Sequence, residues 1–291
     1  MKRKTFISLM AVMAAAGVLE LSGCSSNSSA AAGSTAASGA ASSAASGAAS
    51  GASADRLEAA RQRGTLIVAM EGAWSPWTYH DDTDTLVGYD VEVSRAIAEY
   101  MGLEPEYVEG EWDGLFAGLD AGRYDIVCNG VEVTEERRKS YDFSEPYAYI
   151  HTALAVRSDN TDITSFEDLA GKTTCNSIAS TYMTLAESYG AEVLGVDTLD
   201  ETIQMLLSGR VDATLNADVS FYDYLNVHPD AQFKIVAQTE EASHICIPVK
   251  NDGNSDTLLA AINEAIESLR ADGTLTEISE KYFGSDIATE A

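Results

Sequence analysis

Basic residues are scarce in this chain: 18 Lys and Arg stand against 46 Asp and Glu, a formal charge of −28. That excess repels phosphate backbones and anionic lipid, so nucleic acid is not expected as a partner, and the acidity is read as keeping a secreted protein soluble. Histidine is scarcer still. His80, His151, His228 and His244 are scattered without metal-ligand spacing, and no nucleophile-elbow motif occurs. Beyond Cys24 there are three cysteines, Cys128, Cys175 and Cys246, each inside an apolar or β-branched run. An odd set cannot pair fully and none has metal-ligand spacing, so the three are expected as buried free thiols. Neither a metal nor a cofactor is expected. Long apolar runs are also missing, because the N-terminal one, Phe6 to Val18, falls short of the roughly 20 residues that span a bilayer.

What the N-terminus does carry is Lys2, Arg3 and Lys4, then that short apolar run, then Leu21-Ser22-Gly23-Cys24. This is the layout of a secretory signal that ends in a cysteine. Leu-Ser-Gly-Cys resembles the bacterial lipoprotein box, which implies cleavage before Cys24, with residues 1–23 as the signal peptide and lipid on the Cys24 thiol. Residues 24–54 are almost wholly Ser, Ala and Gly after the cysteine. Such a composition cannot bury enough apolar surface to offset its chain entropy, so it is read as a flexible tether with a reach of about 30 Å.

From Asp55 onward strands and helices alternate. Thr65 to Met70 reads as a strand, the stretch from Val93 through Ile97 to Tyr100 as one apolar helix face, Glu106 to Val108 as a strand, Trp112 to Ala121 as a helix and Asp125 to Cys128 as a strand. The pattern restarts at Leu154. Thr198-Leu199-Asp200-Glu201 is a capping box, His244 to Val249 reads as a returning strand, and Leu258, Ile262, Ile266 and Leu269 share a helix face. The fold class expected is α/β with mostly parallel sheets, and the length suits two lobes.

The most informative stretch is Asp125 to Tyr147, DIVCNGVEVTEERRKSYDFSEPY. A strand end leads through Asn129 and Gly130 into Thr134-Glu135-Glu136-Arg137, read as the first turn of a helix capped by Thr134. Bare backbone N–H groups, a helix start and a guanidinium converge within about ten residues, which is chemistry suited to a carboxylate. The Thr134–Arg137 step followed by Tyr141-Asp142-Phe143-Ser144-Glu145-Pro146-Tyr147 resembles the signature of the polar amino-acid solute-binding proteins (family 3 type) of bacterial ABC importers. The resemblance extends over Gly64 to Gly284 and includes Gly88-Tyr89-Asp90, the Trp112 helix, Leu169-Ala170-Gly171-Lys172, Gly209-Arg210-Val211-Asp212-Ala213 and Lys281-Tyr282-Phe283-Gly284. It implies the periplasmic-binding-protein fold: lobe one from residues 55–150 and 243–287, lobe two from 151–242, joined by two crossover strands near Ala148 to Thr152 and Ala242 to Cys246.

It further implies a monomeric, extracytoplasmic, lipid-anchored receptor that delivers an amino acid, cystine or another polar one, to an ABC importer permease. The alternative is a secreted enzyme on the same scaffold, such as a dehydratase of small carboxylic acids. Ligand contacts are expected from Glu71, Trp74, Trp112, Asn129, Gly130, Glu132, Thr134 and Arg137 on lobe one, and from Ser180, Thr181 and Asp218 on lobe two, where the strand end from Asn216 to Asp218 is expected to face the cleft. By resemblance Arg137 grips the α-carboxylate, Trp74 and Trp112 flank the ligand side chain, and Trp77 belongs to the core. Two departures from the family pattern bear on the α-ammonium. Glu132 stands where relatives commonly carry Ser or Thr, and Ala217 where they commonly carry Asp, with Asp218 one residue later. The counter-charge is therefore expected at Glu132, with Asp218 as its rival. Ala179-Ser180 replaces the usual glycine before the lobe-two threonine, and the stretch from Gly171 to Val193 looks most like its counterpart in cystine-type binders.

Overall fold

The run TLIVAM, Thr65–Met70, is the central strand of a three-stranded parallel sheet between Glu104–Glu109 and Ile126–Val127. This is a computed structural model, and it describes residues 55–290. The expected signal peptide, Cys24 and the tether lie outside the described residues. The first crossover is the helix Tyr89–Tyr100, which begins after Gly88 at φ 136°. A Cβ at Gly88 would lie 2.1 Å from the Trp77 carbonyl oxygen, so only glycine lets the helix start this close to that loop. Val93 and Ile97 are buried as expected, but Tyr100 is half exposed: the buried face runs through Val91, Ser94 and Ala98 instead and leaves the helix end in solvent. The helix Trp112–Asp120 makes the second crossover. Asp256–Ala271, with Leu258, Ile262, Ile266 and Leu269 buried, packs on Tyr89–Tyr100 together with the last helix, Thr274–Phe283.

The second sheet has five strands in the order Glu192–Val196, Thr173–Ser177, Ala213–Ala217, Thr152–Arg157 and Phe233–Gln238. Thr152–Arg157 runs antiparallel to both its neighbours, and the first three strands are mutually parallel. The expected capping box is formed: Thr198 Oγ1 accepts the Glu201 N–H at 3.3 Å, and Glu201 reaches back to the Thr198 N–H. Ser165 and Asp168 form a second box, over the short 3-10 turn Phe166–Leu169.

Two strands join these halves. Ala148–Ile150 pairs antiparallel with Ser243–Ile245, in the register Ser243 opposite Ile150. The single strand expected over His244 to Val249 is in fact two. Cys246 donates to the Val131 carbonyl and Ile247 to the Ser144 hydroxyl, so the chain leaves one partner before Pro248–Lys250 pairs with Tyr141–Phe143. Cys128, Cys175 and Cys246 are buried and unpaired.

Candidate functional site

The ends of the parallel strands and the turns after them face one another across a narrow cavity. Glu71, Trp74, Trp112, Asn129, Gly130 and Arg137 line one side, and Ser177, Ser180, Thr181, Tyr182, Leu199 and Asn216 the other. Eight of the eleven residues expected to touch ligand are thus brought together. Asn216 lines the cavity, as its place at the carboxyl end of a strand led one to expect, whereas Ser177, Tyr182 and Leu199 were not among the expected contacts. Ser177 also lies at the carboxyl end of a strand, where open α/β sheets present ligand groups, and that position was the available signal.

Arg137 opens a 3-10 turn, Arg137–Lys139, instead of the expected α-helix. Thr134 still serves it, because its Oγ1 accepts the Arg137 N–H at 3.1 Å. The guanidinium lies over the rings of Trp112 at 5.3 Å and Phe116 at 5.2 Å, and Nη1 donates to the Glu132 carbonyl at 2.8 Å. Two aromatic faces and one backbone acceptor hold the planar group without neutralising it, and among the described residues it has no carboxylate within 4.0 Å. Opposite stands the start of the helix Thr181–Ser188, where Ser180 accepts the Met183 N–H at 3.1 Å. Helix N-termini favour anions, so guanidinium and helix start face the same space with the same preference. Ala179, just before this cap, keeps a left-handed φ of 60°, a conformation that costs about 1–2 kcal/mol for a residue with a Cβ.

Asn129 ties Glu71 in place at another part of the wall. Its Oδ1 accepts the Glu71 N–H at 2.8 Å and its Nδ2 donates to Glu71 Oε2 at 2.6 Å. Burial pushes the Glu71 carboxyl up to about 7 against the pull of that hydrogen bond, with Glu111 adding to the rise. Trp74 stacks on Trp77, ring centroids 5.2 Å apart and planes at 19°. Trp77 is wholly buried, as expected of a core residue, and donates through Nε1 to Ser220 Oγ at 3.0 Å. Gly130, at φ 54°, lies beneath the Trp74 ring, and its N–H is held by Asp90 Oδ2 at 2.6 Å. Asp90 is fully buried and also accepts from the Tyr147 hydroxyl; burial lifts its carboxyl to about 7. This support for the cleft loop went unread in the sequence, although Asp90 stands in the quoted Gly88-Tyr89-Asp90 turn.

The remaining three expected contacts lie elsewhere. Glu132 is buried and bridges backbone-to-backbone with Ile245; with Thr134 it lines the groove that adjoins the cavity across Arg137 and Thr181. Burial raises its carboxyl, with Thr181, Arg137 and Ser243 opposing, and its Oε1 has no hydrogen-bond partner. Asp218, the expected rival of Glu132, does not line the cavity. Its carboxylate accepts the Val219 N–H at 2.8 Å and Gln238 Nε2 at 3.1 Å, at the first turn of its own helix Asp218–Val227. It lines a wider depression with His151 and Tyr222, separate from the cavity. Thr134 is used by the Arg137 turn and borders the groove, so it too is absent from the cavity wall.

Residues 66–285 match the bacterial extracellular solute-binding proteins, family 3. The chain belongs to that family. A relative from Haemophilus influenzae, a probable amino-acid ABC transporter-binding protein, is 37% identical over 234 residues, 80% of this chain and 89% of its own. Among solved structures, an ancestral arginine-binding protein bound to arginine is 36% identical with a TM-score of 0.72, covering 76% of this chain and 99% of that one. The L-cystine solute receptor of Neisseria gonorrhoeae, unliganded and open, is 38% identical with a TM-score of 0.56, covering 82% and 100%. At near-equal identity the chain superposes more closely on the ligand-bound relative than on the open one. The two-lobed fold is that of these relatives.

Proposed function

We propose that this family 3 protein is an extracytoplasmic receptor that closes its two lobes on an amino acid and delivers it to an ABC importer. We take residues 55–150 and 243–287 as one lobe and 151–242 as the other, with the Ala148–Ile150 and Ser243–Ile245 pair as the hinge. One observation carries the reading: an unneutralised guanidinium, Arg137, shares a narrow cavity with the start of the Thr181–Ser188 helix. That pairing receives an α-carboxylate, and Glu132 beside it receives the α-ammonium. The relatives' printed roles support binding without turnover, so we read the cleft as a receptor site and not as a dehydratase. The gonococcal relative supports cystine as the first ligand to try.

Closure dries the indoles of the cleft, so ligand should change tryptophan fluorescence. Trp74→Phe combined with Trp112→Phe should abolish most of that change. A signal carried by Trp77 alone would place the ligand elsewhere.

We also propose that lipid on Cys24 holds the receptor at the cell membrane, on the strength of Leu21-Ser22-Gly23-Cys24. Cys24→Ser should leave the chain unprocessed, shifting its detergent partitioning relative to wild type; identical partitioning and size would remove the anchor.

A further inference from the structure

After the helix Thr274–Phe283 the chain turns at Gly284 and doubles back. One buried hydroxyl holds the return: Ser279 Oγ donates to the Ser285 carbonyl at 2.7 Å and accepts the Ile287 N–H at 2.8 Å. Asp286 shapes the turn, accepting from the Ala288 N–H at 2.8 Å and from the hydroxyls of Thr276 and Thr289 at 3.2 and 3.0 Å. Ile287 and Ala288 are buried in the main core, although the residues matching the family end at 285.

This returning segment lands on the hinge. The Ile287 carbonyl accepts the Tyr149 N–H at 2.7 Å, so Ala148–Ile150 is held by Ile287 as well as by Ser243–Ile245. Beyond that pair the His244 carbonyl accepts the Val133 N–H at 3.1 Å, Cys246 donates to the Val131 carbonyl, and Glu132 bridges to Ile245. Hydrogen bonds thus run from the Glu132 segment through both crossover strands to Ile287. Two crossover strands of three residues each offer few bonds to fix the angle between lobes, and hinges move through φ/ψ changes in such residues. A third partner, pinned by Ser279 and by two buried apolar residues, restrains those changes. We propose that residues 285–289 are a hinge strap. They hold the crossover strands in the arrangement in which Arg137 and Thr181 line one cavity, and so set how long the receptor keeps its ligand. Freeing the strap lowers the fraction of molecules in that arrangement and weakens binding in proportion. The link to ligand rests on the amino-acid-receptor reading above.

Hydrogen exchange on the whole chain without ligand tests the strap. In wild type the Tyr149 amide should be protected like that of Cys246, and fast exchange there would overturn the proposal with no variant needed. Ser279→Ala removes both bonds that pin the strap, and Ile287→Ala removes its buried side chain. Leu57→Ala controls for lost stability, because its helix, Arg56–Arg63, packs on Thr65–Met70 and Asp256–Ala271 and not on the hinge. Each strap variant should speed exchange at Ser243–Ile245 and at Val131–Val133 by about fivefold or more relative to Thr65–Met70, and the control should not. Calorimetry and stopped-flow with L-cystine as the probe should show both strap variants binding about fivefold or more weakly, through faster dissociation, with the control within about twofold. Hinge exchange that rises no more than in Thr65–Met70 would overturn the strap, as would an unchanged L-cystine affinity in both variants. Failure of L-cystine to bind wild type counts against the receptor reading and its first ligand, and the strap is then decided by exchange alone.

Discussion

Arg137→Ala should lower affinity for any α-amino acid ligand by at least one to two orders of magnitude, since charge-assisted hydrogen bonds to a desolvated carboxylate contribute about 1.5–3 kcal/mol each. The guanidinium is stacked on Trp112 and Phe116 and gives one donor to the Glu132 carbonyl, which leaves its other N–H groups for ligand. Folding should survive, because the side chain is half-buried at the cavity wall and makes no ion pair that the core depends on. Arg137→Lys should rescue little of the loss, as an ammonium supplies charge without the planar fork or the stacking surface. Calorimetry checks both, with thermal unfolding as the control. An alanine variant that binds within a factor of three of wild type would contradict the carboxylate assignment.

Glu132→Gln should cost the amino acid far more affinity than its deaminated analogue, by about tenfold or more, while Asp218→Asn changes neither much. An α-ammonium that enters a closed cleft gives up its hydration and needs a carboxylate nearby. Glu132 Oε1 is buried beside Arg137 and Thr181 with no partner of its own. The Asp218 carboxylate is already taken by the Val219 N–H and Gln238, and it faces the other depression. If Asp218→Asn narrows the preference for the amino acid over its analogue and Glu132→Gln does not, the counter-ion belongs to lobe two.

Chemistry concentrated in one stretch was the most legible part of the sequence. Arg137, Gly130 and Asn129 lie within nine residues after a strand and do share the cavity with Trp74 and Trp112. Local rules also sufficed for the Thr198 capping box and for the buried stripe of Leu258, Ile262, Ile266 and Leu269, whose determinants sit within a few residues of one another. Asp218 was legible only as a rival, because at a helix start one residue turns a side chain by about 100°, and its carboxylate accepts the neighbouring Val219 N–H instead. Asp90 went unread for the opposite reason. It is an acid fixed by Gly130 and Tyr147, 40 and 57 positions away, and no local pattern announces that. The split of His244 to Val249 likewise depends on Val131 and Ser144, distant partners that draw the chain from one strand to the next.

The most direct test of the receptor claim is a thermal-shift panel of the twenty amino acids plus L-cystine against the purified chain. A ligand present at 100 times its dissociation constant should stabilise the folded state by about 2.7 kcal/mol, a clear rise in unfolding temperature that Arg137→Ala should remove. At least one compound should give that rise in wild type. A panel in which none moves the unfolding temperature at millimolar concentration would contradict the account.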